Sequence, residues 1–359
     1  MPQPMKLILA NPRGFCAGVY MAIDVVDQLI RACPDETIYV YHEIVHNRHV
    51  VDRFRQRGVV FVEDVADVPT DSIVVFSAHG VSPAVRDEAR EAGLHVVDAT
   101  CPLVTKVHAE AIRYSKRGYQ ILLIGHADHQ EVIGTRGEAP QATQVVESPA
   151  DIPNLVIDDP AKLVYLTQTT LSVNDAAVII EALKQAFPEI HAPPSEDICY
   201  ATTNRQSAVK VLAPLADLTL VVGSRNSSNS MRLVEISESV GTPGRLIDDV
   251  TEVDPAWFAS IDSLLLTAGA SAPEDLVRGV IERVIEECGG SVEQHEIHRE
   301  SVEFAVPISL RRLMDARGTK LDGDRITVDM AGEIDRWLTE QEIEHQTVSL
   351  SVSATGGDA

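Results

Sequence analysis

Three times in this chain an apolar run ends in a polar loop, meets a cysteine and gives way to a helix-like segment. No other feature limits the fold as strongly. The runs lead from Leu7 to Cys16, from Val96 to Cys101 and from Ile190 to Cys199. After each cysteine a second apolar run precedes a polar residue: Ile38–Tyr41 before His46, Ile121–Ile124 before His129, and Leu218–Val222 before Ser227. A third run follows in each case: Ile73–Phe76 before His79, Leu163–Leu166 before Thr169, and Leu264–Leu266 before Ser271. Between the second and third runs lie the related segments VFVEDVADVP from Val60, QVVESPADIP from Gln144 and RLIDDVTEVDP from Arg245. The period is roughly ninety residues, well above the ~20–50 of solenoid units, so each copy can bury its own core. Alternating strands and helices imply a small parallel sheet flanked by helices in each copy. Ligands in such sheets bind at loops beyond the carboxyl ends of the strands, which is where the three cysteines are placed to converge.

A chain of 359 residues, 45% hydrophobic, is long enough for two or three domains, and the repeat favours three. No apolar run approaches the ~18 residues of a membrane span, and the start MPQPMKLILA lacks a basic segment followed by a long apolar one. The expectation is a soluble cytoplasmic protein with no membrane partner. A formal net charge of −24 argues against nucleic-acid binding, which depends on Lys and Arg neutralising phosphates. An anionic ligand needs a local device instead. Five cysteines without a secretory signal point to metal binding or catalysis rather than a disulfide framework. Cys33 and Cys288 fall outside the repeat and read as ordinary thiols.

Cys16 sits between a strand and a helix, where backbone N–H groups and the helix dipole favour a thiolate, and Cys101 and Cys199 likewise precede helix-like segments. His46 and His79 occupy repeat-equivalent loops and read as functional, whereas His42, His49, His95, His108 and His126 read as structural or solvated. His129 and Glu131 lie two residues apart in a strand-end loop, a spacing that offers an anion contact and a proton donor. The hydroxyls of Thr167, Thr169, Thr170 and Ser172 include the cap of a helix over 175–186. The run Gly223–Ser230 feeds a helix over 233–240 and makes an oxyanion cradle from backbone N–H groups, hydroxyls and an amide.

Cysteines so far apart in sequence are not a zinc ribbon, whose ligands come in close pairs. One cysteine from each repeat suggests a site on a pseudo-threefold axis. Two readings remain open from the residues alone: a closed Cys3His zinc site, and an iron–sulfur cluster whose three thiolates leave one iron without a protein ligand. Polar donors in all three repeats favour an open, catalytic site. The competing function is a non-enzymatic zinc protein that binds a phosphorylated ligand.

The segments PRGFCAGV from Pro12, YVYHEIVHN from Tyr39, FSAHGVS from Phe76, VDATCPLVTKVH from Val97, LTQTTLSV from Leu166, DICYATTNRQ from Asp197, GSRNSSNS from Gly223 and TAGASAPE from Thr267 resemble the ordered motif set of LytB-type 4-hydroxy-3-methylbut-2-enyl diphosphate reductases. The resemblance implies a trefoil of three pseudo-equivalent α/β domains around a central cluster. It implies reductive dehydration of an allylic diphosphate alcohol to isopentenyl and dimethylallyl diphosphates, the last step of the non-mevalonate isoprenoid pathway. Carried over by motif, Cys16, Cys101 and Cys199 ligate one [4Fe-4S] cluster with one open iron. His46, His79, His129, Thr169, Ser227, Ser228, Asn229 and Ser271 bind substrate, and Glu131, Thr169 and His129 are the catalytic set. The family's His-Pro-Glu reads His129-Gln130-Glu131 here, which frees φ at the middle position. With no Gly-rich dinucleotide fingerprint, electrons are expected from a ferredoxin or flavodoxin.

The expected divisions are 17–100, with the Lys6–Cys16 strand and loop packing with the third repeat; 101–197; 198–313 with a C-terminal return; and an extra tail, 314–359, partly disordered. The return is an extended segment over 292–306. Within the tail, 330–343 reads as one helix around Ile334, Trp337 and Leu338, and 349–359 as disordered.

Overall fold

In the computed structural model, residues 4–321, 323, 325–327 and 331–349 are described. The chain opens with β1 (Met5–Asn11) and α1 (Ala17–Ala32), and the first repeat continues as β2 (Ile38–Tyr41), α2 (Arg48–Gln56), β3 (Val60–Val62), β4 (Ile73–Phe76), α3 (Pro83–Glu91) and β5 (His95–Asp98). The second is α4 (Pro102–Lys116), β6 (Gln120–Ile124), α5 (Gln130–Glu138), β7 (Thr143–Val146), β8 (Leu163–Thr167) and α6 (Val173–Ala186). The third is α7 (Tyr200–Leu212), β9 (Leu218–Val222), α8 (Ser228–Ser239), β10 (Gly244–Ile247), β11 (Ser263–Ala268), α9 (Glu274–Cys288) and β12 (Gly290–Glu296). Then come β13 (Glu303–Ala305), α10 (Ile308–Arg317), β14 (Arg325–Thr327), α11 (Ala331–Glu340) and β15 (His345–Ser349). Among the described residues no helix is long and apolar enough to cross a membrane.

The expected α/β class and three parallel sheets are present, with strand orders β3-β2-β4-β5, β7-β6-β8 and β10-β9-β11-β1-β12-β15. The three related segments of the sequence each form a short outer strand, β3, β7 or β10, followed by a 3-10 turn. In two copies the strand before a cysteine joins the preceding repeat's third strand: β5 pairs with β4, and β1 pairs with β11. In the other, the stretch before Cys199 is not the strand expected of it. It makes an isolated bridge, Val164 to His191, and then enters Pro193 and Pro194, which carry no N–H to extend a ladder.

The contacts divide the chain into two compact units. One comprises 1–15, 200–302 and 328–359, and the other 16–199 and 303–327. In the first unit both faces of the six-stranded sheet are covered. Leu7, Leu9, Leu220 and Leu266 pack with Val277, Val280 and Ile281 of α9, whereas Ile8, Val221 and Leu265 pack with Val209 and Leu212 of α7 and Leu233 of α8. Burial on both faces explains why these strands read as continuous apolar runs rather than alternating ones. This sheet is larger than one small sheet per repeat because the C-terminal return supplies β12 and the tail supplies β15.

The helix expected over 233–240 starts earlier, at Ser228, because its first turn is polar and gives no apolar periodicity to read. The helix expected over 175–186 starts at Val173, capped by the Ser172 hydroxyl, which accepts from the Asp175 N–H at 3.1 Å. The segment over 292–306 is two strands: β12, parallel to β1 and β15, and β13, antiparallel to β14. The tail helix lies within its expected span, and Ile334 and Leu338 are fully buried with the α9 face of the sheet. Ser349 ends β15, and 350–359, the remainder of the segment expected to be disordered, lie outside the described residues.

Leu338→Ala is expected to cost about 2–5 kcal/mol, the usual range for emptying a buried leucine site. Denaturant unfolding of the purified variant measures this, and a midpoint equal to the parent's would show that α11 contributes nothing to the core.

Candidate active site

In the unit comprising 16–199 and 303–327, each of the three repeat cysteines stands at the start of a helix or directly before one. Cys16 caps α1 and its sulfur accepts from the Val19 N–H at 3.5 Å. Cys101 is the residue before Pro102 of α4, and its N–H donates to the Ala78 carbonyl at 3.0 Å. Cys199 precedes α7 in sequence, and its N–H donates to the Thr169 carbonyl at 3.0 Å. A β carbon on Gly18 would lie 2.6 Å from the Cys101 sulfur and 4.0 Å from that of Cys16. Only a glycine leaves room there.

The Cys101 thiol is held above its ordinary value. Burial pushes that thiol up first, the charge of Cys16 adds to it and that of Cys199 adds less, while the N–H groups of Leu103 and Val104 offset only part. Cys33 is buried in a different environment, with the Arg317 guanidinium donating to its sulfur at 3.1 Å. Cys288 is the last residue of α9. Among the described residues no three Cys, His, Asp or Glu side chains gather around a point that would hold a single metal ion.

The same unit assembles three histidines. The His46 and His79 rings stack with centroids 3.9 Å apart, and His129 stands edge-on at 5.3 Å from His46 and 6.0 Å from His79. Glu43 reaches His46 Nδ1 at 3.2 Å. His129 caps α5 by accepting the Glu131 N–H on Nδ1 at 3.2 Å, so the neutral ring carries its proton on Nε2. Burial, followed by the charge of His46, lowers the pKa of His129 to about 4, and burial with the charges of His46 and His129 holds His79 well below the ordinary histidine value. A dry, crowded place favours the neutral forms of His79 and His129.

Glu131 is buried in the first turn of α5. Its carboxylate accepts from the Thr169 N–H at 2.6 Å and the Thr169 hydroxyl at 3.1 Å. Burial outweighs these two bonds and raises its pKa to about 7. Thr169 therefore joins the acid on one side to the Cys199 backbone on the other.

The unit comprising 1–15, 200–302 and 328–359 holds the hydroxyl and amide run. The Ser227 hydroxyl caps α8 by accepting from the Ser230 N–H at 3.4 Å and from the Ser230 hydroxyl at 3.1 Å. Gly223 and Gly269 have no room for a β carbon because the Ser230 hydroxyl would lie 2.2 and 1.9 Å away. Asn229 accepts from the Ala270 N–H at 2.9 Å, which ties Ser228 and Asn229 to the loop carrying Ser271. The Asn229 Nδ2 is buried with no hydrogen-bond acceptor. An amide donor left without a partner is costly, and an anion oxygen placed there would satisfy it.

Two arginines that sequence reasoning passed over clamp the loop before Cys16. Arg13 donates to Glu274 at 2.5 Å and to the Ala10 carbonyl at 3.0 Å. Arg205, fully buried, donates to the Gly14 carbonyl at 2.9 Å, to the Ala201 carbonyl and to Glu300 at 3.0 Å. Their signal was present, since both lie inside the motifs that contain Cys16 and Cys199.

The family model for the LytB protein matches residues 7–285 of this chain. The 4-hydroxy-3-methylbut-2-enyl diphosphate reductase of Rhodopirellula baltica is 52% identical over 308 residues, covering 86% of this chain and 96% of that one. The solved structure of the E-1-hydroxy-2-methyl-but-2-enyl-4-diphosphate reductase from Plasmodium falciparum is 39% identical with a TM-score of 0.85, covering 89% of this chain and all of that one. A second, of (E)-4-hydroxy-3-methyl-but-2-enyl diphosphate reductase, the terminal enzyme of the non-mevalonate pathway, is 30% identical with a TM-score of 0.58, covering 79% and 99%.

An anion placed against His79 and His129 favours the charged imidazoles that burial suppresses, so binding should raise their pKa values and draw protons from solvent. Calorimetric titration with inorganic pyrophosphate at about pH 6, in buffers of different ionisation enthalpy, is expected to show net proton uptake. Equal heats in every buffer would mean that His79 and His129 stay neutral on binding.

Proposed function

This chain belongs to the LytB family, and from that premise we propose how its residues divide the work of the family's reductive dehydration. It is an oxidoreductase acting on an allylic diphosphate, (E)-4-hydroxy-3-methylbut-2-enyl diphosphate, and forming isopentenyl and dimethylallyl diphosphates. Family membership leaves the zinc-scaffold alternative without support. The observation that carries the division of roles is Glu131: a buried carboxyl with a pKa raised to about 7, held at two atoms by Thr169.

The cysteine set fits the iron–sulfur group the family uses. Its donors are three soft thiols near helix starts, with Gly18 leaving the space between two of them open. In our reading Cys16, Cys101 and Cys199 hold one [4Fe-4S] cluster with one iron free of protein ligands. Bound there, the cluster supplies electrons one at a time and a Lewis acid for the substrate oxygen.

The remaining work falls to this chain's own side chains. His46, His79 and His129, with Ser227, Ser228, Asn229 and Ser271, take the diphosphate. Histidines, hydroxyls and an amide can solvate it without a lysine patch, in keeping with an acidic chain. His129 presents Nε2–H because its Nδ1 is engaged by the Glu131 N–H. Glu131 is the general acid: a carboxyl near half-protonation at neutral pH delivers a proton to the departing hydroxyl, so that water leaves. Thr169 orients the acid through its hydroxyl and N–H. A ferredoxin or flavodoxin as electron source and a cytoplasmic location complete the proposal.

Glu131→Gln keeps the shape and loses the proton, so turnover with a chemical reductant should fall by about 10²–10⁴-fold while the substrate still binds. Turnover at the parent rate would remove Glu131 from the acid's role. Replacing Cys16, Cys101 or Cys199 by serine should abolish bound iron and sulfide, whereas Cys33→Ser and Cys288→Ser should retain both. Retention in Cys199→Ser with loss in Cys33→Ser would overturn the ligand assignment.

A further inference from the structure

On α4 lies a buried, hydrogen-bonded imidazole with no part in the roles assigned above. His108, on α4, is 5% exposed. Its Nδ1 lies 2.9 Å from Glu138 Oε1, the last residue of α5. Arg86 of α3 donates to the same oxygen at 2.5 Å and to the Val81 carbonyl at 3.3 Å. Burial pushes the Glu138 carboxyl up, but hydrogen bonds from His108 and Arg86 outweigh it and keep the group ionised. His108 therefore donates from Nδ1, and its ring orientation is fixed.

The opposite edge of that ring is where the arrangement becomes informative. Its Nε2 is buried without a hydrogen-bond partner. Both Nε2 and Cε1 lie 3.2 Å from where a β carbon on Gly80 would be, and 3.3 Å from where one on Gly134 would be. Gly80 directly follows His79, and Gly134 lies on the helix that His129 caps. One turn further along α5, a β carbon on Gly137 would meet that of Ser82 at 2.5 Å. The His79–Ser82 loop and α5 thus approach more closely than a side chain at Gly137 would permit; a β carbon on Gly134 would also lie 3.5 Å from the Gly80 carbonyl carbon, and the imidazole edge abuts both segments where they meet.

We propose that His108, locked by Glu138 and Arg86, is a positioning residue: a spacer that sets the separation of His79 and His129 and so tunes the diphosphate grip of the trio. An apolar ring of similar size would fill the volume but could not be oriented by Glu138. Alanine would leave a void into which the loop or the helix can shift. The proposal rests on the assignment of His79 and His129 to the diphosphate.

The test is steady-state kinetics on anaerobic, cluster-loaded protein. His79→Ala and His129→Ala serve as controls for the underlying assignment. His108→Ala is expected to raise KM by about 10- to 100-fold, the scale on which misplacement of about 1 Å is felt, with kcat much less affected and iron content unchanged. His108→Gln, which can still donate to Glu138, should recover most of the affinity. Gly134→Ala alone should also raise KM, because its new methyl group presses on the ring. Combined with His108→Ala it should restore KM toward the parent value by filling the vacated space, a non-additivity expected only of groups in contact. If His79→Ala and His129→Ala weaken binding while His108→Ala leaves KM unchanged, or if the Gly134 and His108 effects simply add, the spacer role is wrong. If the two control variants bind as the parent does, the diphosphate assignment fails instead.

Discussion

A short backbone hydrogen bond, made just beyond the sheets, places the chemistry of this molecule. The Cys101 N–H donates to the Ala78 carbonyl and the Cys199 N–H to the Thr169 carbonyl, both at 3.0 Å. Two residues before Cys16, the Gly14 N–H donates to the Ala268 carbonyl at 3.2 Å. In each case a cysteine-bearing segment is stitched to the end of a strand from the preceding repeat, counting the third repeat as preceding the first. The stitch sets Cys101 beside the loop carrying His79 and Cys199 beside the residue that holds Glu131. Proximity of a repeat cysteine to the buried acid or to the histidine loop is thus a consequence of these backbone hydrogen bonds, not of local sequence.

Electrostatics then acts through dryness rather than net charge. The protein is strongly acidic, yet the groups proposed to take the anion are imidazoles, hydroxyls and a buried amide with an unused donor. Burial lowers His79 and His129 and raises Glu131, and each shift suits its assigned role: donors that gain charge when the anion arrives, and an acid that still holds its proton near neutrality. The buried arginines belong to the scaffold. Arg205 and Arg13 spend their donors on backbone carbonyls and carboxylates around the loop before Cys16. A charge so buried needs every such partner.

Much of this was legible in the sequence because the repeat exposed it. Matched apolar runs gave β2, β4, β6, β8, β9 and β11, and the polar residue after each run marked the candidate loops. The stretch before Cys199 misled, since Ile190 reads as the end of an apolar run while Pro193 and Pro194 deny it a ladder. The start of α8 was hidden because Ser228, Asn229 and Ser230 carry no apolar period. No sequence rule reports that Cys16 and Cys199 would crowd Cys101 in a dry place. His108 looked structural for a sound reason, as most buried histidines are. The bearing on the site proposed for it emerges only when Gly80 and Gly134, distant in sequence, are seen against the same edge of its ring.

The central claim is that three cysteines, one from each repeat, hold a four-iron cluster and leave one iron for the substrate. Mössbauer spectroscopy of anaerobically prepared, 57Fe-enriched protein tests it most directly, because it distinguishes the irons of one cluster by their ligands. The account predicts one iron site of four that is distinct from the rest and changes its parameters when substrate is added, while the other three change little. Four irons indistinguishable from one another and indifferent to substrate would contradict it.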